Sequence, residues 1–384
     1  MQWETSRERS AARHADSAHS QRCFPNAATN FHAKATQAER MRIALQTVSL
    51  GAPGSVAPWP TLDPFLFCVH HKDAYPPGDE NMAPQASLAG RQMGQDFEGK
   101  DGFRMYHGMT VPGFPAHPHR GFETVTIARA GYIDHSDSLG AAARFGQGDV
   151  QWLTTGAGIV HSEMFPLRER EKANPAELFQ IWLNLPRASK MAQPYFSMLW
   201  SEEIPERAGK NAKVNVIAGT FDGTAALPPP PDSWASNKDS DLAIWTIRIG
   251  KGGELTLPKT NHADTTRTLY FFEGKKLQAR NREGIRESFP PHHAVVLGGE
   301  EISLHAEDDV EVLVLQARPI GEPVVSHGPF VMNTKEEIMQ TFKDYERTQF
   351  GGWPWPKQDP VHAREEGRFA RHADGRVETR GTKV

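Results

Sequence analysis

A chain of 384 residues with 38% hydrophobic and 23% charged residues is long enough for two packed domains plus polar ends. Its net charge of −4, without a Lys/Arg block, gives no electrostatic footprint for nucleic acid, and no apolar run approaches the ~20 residues that a membrane-spanning helix needs. Only Cys23 and Cys68 are present, which argues against a disulfide framework and for a soluble protein of a reducing, cytoplasmic compartment.

Residues 1–44 are polar, without period and rich in His, Arg and Ser, and they read as a disordered extension. Glu4, Glu8, Asp16 and Glu39 count against a transit peptide, while Met41, just before the strand-like RIALQTVSLG, is an alternative first residue. The next block, residues 45–195, runs strand, turn, strand. TVTIARAG (124–131) alternates polar and apolar residues, as a half-buried strand does. YIDHSDSLG reads as a turn-rich connection. FGQGDVQWLTTGAGIVHSEMF carries Gly146, Gly148, Gly156 and Gly158 as turn punctuation, with Asp149 closing a turn and Trp152 filling the barrel by parity with Val150. ELFQIWLNL (177–185) is an apolar strand stopped by Pro186.

A polar segment, SEEIPERAGKNAK, leads into a second β-rich block that ends near residue 330. LPPPPDSW (227–234) within it predicts a stiff surface loop. Residues 331–384 hold one clear helix, TKEEIMQTFKDYERTQF, opened by a Thr334/Glu337 capping box, with Ile338, Phe342 and Tyr345 on one face. The GGWPWP segment (351–356) is expected to pin the tail to the body. Many short strands without alternating helices predict an all-β chain of antiparallel sandwiches or barrels, not a parallel α/β sheet.

The chemistry sits in two dyads. In GFPAHPHRGFETV, His117 and His119 are two apart, so on a strand they project from one face, and Pro118 places that strand at an edge. In GIVHSEMF, His161 and Glu163 also share a face. If the two strands are neighbours, three imidazoles and one carboxylate converge inside the barrel; the intervening ~40 residues suffice for two or three strands. That set suits Fe(II), Mn, Ni, Cu(II) or Zn, and it leaves positions open for a ligand on an ion that prefers six. The adjacent His292 and His293 point to opposite faces and cannot chelate together. His107 and His135 could approach the site, although turn or surface positions are commoner for such residues, and His70 and His71 are read in the same way.

GFPAHPHRGFETVT, GDVQWLTTGAGIVHSEMF and HGPFVMNTKEE resemble the pirin family of the cupin superfamily, and the likeness continues through LDPFLFCVHHKDAYP and QIWLNLPRASKMAQPYF. The resemblance implies two facing cupin β-barrels: residues 45–195 as the metal-binding one and 196–330 as one without metal, followed by helix and tail. Its ligands fall on His117, His119, His161 and Glu163. Glu123, on the histidine face by odd-number parity, is then assigned to bonding a ligand histidine or Arg120. Ala157 stands where the family commonly has an arginine. The resemblance further implies an Fe(II) dioxygenase of the quercetin 2,3-dioxygenase type, which opens a flavonol ring with dioxygen and releases carbon monoxide. Glu163 would then be its general base. A monomer with a small aromatic substrate, and no membrane or nucleic-acid partner, follows from that reading. The other implied role is a regulator whose metal state governs binding to protein partners.

Overall fold

The computed structural model describes residues 42–381, so the expectations for residues 1–41 lie outside the described part. Ten strands make up the first half: β1 (Ala44–Ser49), β2 (Phe65–Tyr75), β3 (Gly113–His119), β4 (Phe122–Ala130), β5 (Tyr132–Asp137), β6 (Ala142–Gly146), β7 (Val150–Thr154), β8 (Ile159–Met164), β9 (Asn174–Asn184) and β10 (Tyr195–Leu199). Nine of them build two antiparallel sheets. One runs β10-β7-β4-β9-β2; the other runs β6-β5-β8-β3 and is extended beyond β6 by a hairpin, Arg368–Arg371 and Val377–Arg380. Leu153, Leu178 and Phe196 from the first sheet pack against Ile133, Phe145 and Ile159 from the second to fill the space between them.

The remaining strand, β1, crosses over and pairs with His293–Leu297 in the second half, while the C-terminal hairpin returns to pair with β6 in the first. Eight strands of the second half, with β1 added at one end, form a nine-stranded antiparallel sheet that curls into a nearly closed barrel. Its 15-residue strand Ala243–Leu257 pairs with Val310–Ala317 along its first part and with Ile302–Ala306 along its last, and that change of partner bends the sheet. The two halves meet face to face. Val125, Ile127, Trp152, Phe179 and Ile181 of the first half pack against Tyr270, Phe272, Leu313 and Leu315 of the second. Each such side chain contributes roughly 1.5–3 kcal/mol on burial. Arg129 links the halves at the rim, pairing with Glu177 and with Glu311.

Strand β4 is therefore buried on both faces, not half-buried as its alternation predicts. Its polar residues, Thr124 and Thr126, face the inside of the first barrel, and its apolar Val125 and Ile127 face the second. YIDHSDSLG also departs from expectation: Tyr132–Asp137 is a strand. Its acidic residues are satisfied locally, Asp134 by Arg144 at 2.7 Å and Asp137 by the backbone N–H groups of Leu139 and Ala141. Asp149 closes its turn on the Gly146 N–H and also accepts from Arg368.

Among the described residues the single α-helix, α1 (Lys335–Thr348), opens with the expected capping box: Glu337 N–H donates to Thr334 Oγ1 and Thr334 N–H to Glu337 Oε2. Ile338 and Thr341 are its buried residues, and Phe342 lies at the margin, 39% exposed. The GGWPWP segment is pinned as expected, with Trp355 Nε1 donating to Asp137 O and Trp353 resting on the cluster that includes Ile338 and Phe350.

The chain passes from one sheet of the first barrel to the other at Arg120–Gly121. Arg120 donates through Nε to Ala157 O and through Nη1 to Asp344 of α1, with its guanidinium 4.5 Å above the Phe350 ring. Gly121 takes φ +86°, and a Cβ there would stand 2.0 Å from Val331 O. Its carbonyl accepts from the buried ammonium of Lys190, which also bonds Asn184 Oδ1 and Val331 O. Gly121→Ala combines a left-handed backbone with a clash against main chain, so it should lower unfolding free energy by about 3 kcal/mol. Urea denaturation checks this; a loss within error of zero would show that the corner is slack.

Candidate metal centre

Strands β3 and β8 pair antiparallel with His117 directly opposite His161. A register irregularity between Phe114 and His117 sits just before the pair, at the end of the edge strand that Pro118 marks. The three rings of His117, His119 and His161 lie 4.5–5.0 Å apart by centroid, and one nitrogen from each falls within 4.8 Å of the others. Four strands, β4 to β7, separate the dyads, more than the two or three that the spacing suggested.

His119 and His161 are buried, and burial together with the neighbouring imidazoles holds both well below the ordinary histidine range, as neutral rings with a lone pair to give. His117 Nδ1 lies 2.8 Å from Pro115 O, and His119 Nδ1 lies 3.4 Å from Pro329 O. Neither nitrogen of the fully buried His161 has a hydrogen-bond partner among the described residues. A buried imidazole so orphaned is costly unless something else meets its lone pair, and a divalent cation among three imidazoles does that. The residues present fit such an ion.

Glu163 stands slightly back from the trio. Its Oε2 is 4.0 Å from His161 Nε2 and accepts from Gln180 Nε2 at 3.2 Å, while Oε1 lies 3.2 Å from the Thr126 hydroxyl. Thr126 is in turn 2.5 Å from Gln180 Oε1. Burial pushes the Glu163 carboxyl above the usual glutamate range; His135, Thr126 and Gln180 pull it back. Thr126 and Gln180 were missed in the sequence. The signal was there for Gln180, an amide flanked by apolar residues on both sides in ELFQIWLNL.

His135 is not a turn residue: it is fully buried, opposite Glu163 across β5 and β8, with Nε2 3.1 Å from Asp137 and its ring 5.5 Å from His161. His107 bonds Gly94 O near Phe97, while His293 Nδ1 lies 2.7 Å from Pro291 O. His70 and His71 are not surface residues either, since both lie against aromatic rings. Around the trio, Trp182 stands 5.4 Å from His119, 4.4 Å from Phe122 and 4.8 Å from Phe67. Strands β2 and β3 end their sheets and face each other across a seam, where Phe67, Trp182, Gln180 and Phe114 are half-exposed. Ala157 uses only its backbone here, accepting from Arg120 and donating to Ala192 O.

The assignment of Glu123 is corrected. It bonds no histidine and not Arg120; its carboxylate accepts from Thr154 Oγ1 at 2.7 Å and from Ser233 Oγ at 2.6 Å. Glu123 leaves the histidine face because the Arg120–Gly121 corner moves the chain to the other sheet, where inward positions are even-numbered. Glu123 therefore faces the second half, and the polyproline loop, expected at the surface, drives Ser233 into the interface to meet it.

Two antiparallel β-barrels, one of them enclosing a histidine cluster that could hold a metal ion, define a protein of the cupin type. The family model described as Pirin matches residues 60–183, and the Pirin C-terminal cupin domain matches residues 244–351. The chain belongs to the pirin family. It is 37% identical over 250 residues to a Pseudomonas aeruginosa protein named "Putative quercetin 2,3-dioxygenase PA2418", covering 62% of this chain and 79% of that one. It is 34% identical over 255 residues to pirin of Homo sapiens, covering 65% and 81%. A crystal structure of quercetin 2,3-dioxygenase from Acinetobacter baumannii matches with a TM-score of 0.63 at 28% identity, covering 81% of this chain and 98% of that one.

Burial pushes the Glu123 carboxyl up to about 7 from an ordinary 4.5, against the pull of Ser233 and Thr154. The native state thus holds the proton more tightly than the unfolded one. The stability this adds is whole below about pH 4.5 and is lost as pH rises through about 7. Glu123→Gln should flatten that decline, which amounts to roughly 3 kcal/mol. Urea midpoints of both proteins from about pH 4.5 to 8 measure it, and parallel curves would refute the assignment.

Proposed function

We propose that this pirin is a metal-dependent dioxygenase of the quercetin 2,3-dioxygenase type, using His117, His119, His161 and Glu163 to hold one divalent transition metal, iron(II) first among Fe, Mn, Ni, Cu and Zn. The observation that carries the reading is the fully buried His161, orphaned at both nitrogens between two further imidazoles. The names of its relatives in Pseudomonas aeruginosa and Acinetobacter baumannii support it. When bound, such an ion supplies Lewis acidity toward a phenolic hydroxyl and the redox chemistry that engages dioxygen.

The chain's own residues do the rest. Glu163, with a carboxyl that burial makes a better base than a surface glutamate, takes the proton of the substrate hydroxyl. Thr126 and Gln180 fix the orientation of that carboxylate from the opposite sheet. Phe67, Trp182 and Phe122 offer a flat ligand aromatic faces and keep water from the reacting carbon.

The test is to load the protein with Fe(II) and follow quercetin absorbance under oxygen, with His119→Ala alongside. Wild type should consume the flavonol, and the variant should lose about two orders of magnitude in rate along with its metal. Consumption at the uncatalysed rate by metal-replete wild type would refute the dioxygenase and return the chain to the regulatory reading.

A further inference from the structure

On the seam side of the first barrel lies a polar chain that the site described above does not use. Asp73 and His71, both on β2, are joined through the Tyr106 hydroxyl: Tyr106 Oη donates to Asp73 Oδ2 at 2.6 Å and stands 2.8 Å from His71 Nδ1. Arg104 closes the far end, its Nη1 3.0 Å from Asp73 Oδ1. All four side chains are buried. Tyr106 is held at φ +55°, a conformation that a bulky residue adopts only when its surroundings impose it. Asp96 imposes it here, bonding Tyr106 through both backbone groups. That backbone aims the phenol at Asp73.

The donors and acceptors in this chain admit one arrangement. Asp73, ion-paired with Arg104, can only accept, so the single Tyr106 proton goes to it. The Tyr106 oxygen must then accept from His71, which places the imidazole proton on Nδ1 and leaves Nε2 bare. Burial pushes His71 down to about 3, so it stays neutral and keeps that lone pair throughout the physiological range. Nε2 has no hydrogen-bond partner among the described residues. His71 faces Phe114 across the seam at 6.0 Å, and Phe114 is 6.4 Å from His117. One aromatic ring therefore separates this acceptor from the metal centre, a gap that a flat polycyclic phenol lying along Phe114 would span.

Resting on the dioxygenase reading for the flavonol's presence, we propose that His71 is a specificity-determining residue: its Nε2 accepts a hydrogen bond from a phenolic hydroxyl remote from the metal, and the Asp73–Tyr106 pair fixes the tautomer that lets it do so. The ligand class this selects is a polyhydroxylated flavonoid over its unsubstituted parent. A residue that only packed would not discriminate between the two.

Binding of quercetin and of 3-hydroxyflavone, which lacks the remote hydroxyls, is read anaerobically by tryptophan quenching in the metal-loaded protein. Wild type should favour quercetin by about tenfold or more, and the ratio should collapse to about twofold or less in His71→Phe and fall in Tyr106→Phe, with metal content unchanged. Nitrogen-15 spectra of the free protein should show His71 with its proton on Nδ1. An unchanged ratio in His71→Phe, no preference in wild type, or a proton on Nε2 overturns the inference. Because neither readout involves turnover, wild type that discriminates as expected yet does not consume quercetin would sink the dioxygenase alone. Turnover with an unchanged ratio would sink this inference alone.

Discussion

The Arg120–Gly121 corner is the constraint on which the arrangement turns. Within two residues the chain leaves one sheet of the barrel and enters the other, so the inward-facing positions change from odd on β3 to even on β4. His117 and His119 then reach the interior from one side while Thr126 reaches it from the other, and the intervening Glu123 is turned out. Only a residue without a side chain passes under Val331 there, and only a long cation such as Arg120 reaches both the glycine-rich turn and α1. The position of every candidate ligand relative to the residues that orient Glu163 follows from that bend.

The central strands of the five-stranded sheet have no solvent face. One side carries the polar row Gln151, Thr126 and Gln180, aligned across three strands toward the site; the other carries Val125, Ile127 and Phe179 toward the second barrel. An ordinary antiparallel sheet puts its polar side in water. Here the hydrophobic contact between barrels frees the interior of the first to be polar, because burial on the outer side supplies the stability that a polar interior does not. The second barrel thus acts on the site as a wall, without lending it a ligand-bearing histidine.

Much of this was legible in the chain. The spacing within each dyad, His117 with His119 and His161 with Glu163, requires only a strand's two-residue period, a local property, and the capping box at Thr334 is equally local. What escaped was whatever depended on partners far along the sequence. Glu123 could be placed only by knowing where the corner falls, and Ser233, its partner, arrives from the opposite half. Asp134 and Asp137 looked like turn formers because their satisfaction by Arg144 and by nearby N–H groups cannot be read from composition. His71 beside His70 looked unremarkable, since its meaning comes from a tyrosine held in a left-handed conformation.

The first barrel is completed from the other end of the chain. The Arg368–Arg371 hairpin extends its sheet, carbonyls of His362, Ala363 and Glu366 cap Arg144, and Asp344 grips Arg120 beside the histidines. A ribosome working from the N-terminus delivers all three histidines long before any of those segments. The nascent first half thus waits with an unfinished edge while the second is made, and the final setting of the three histidines belongs to the finished polypeptide, not to the domain that bears them.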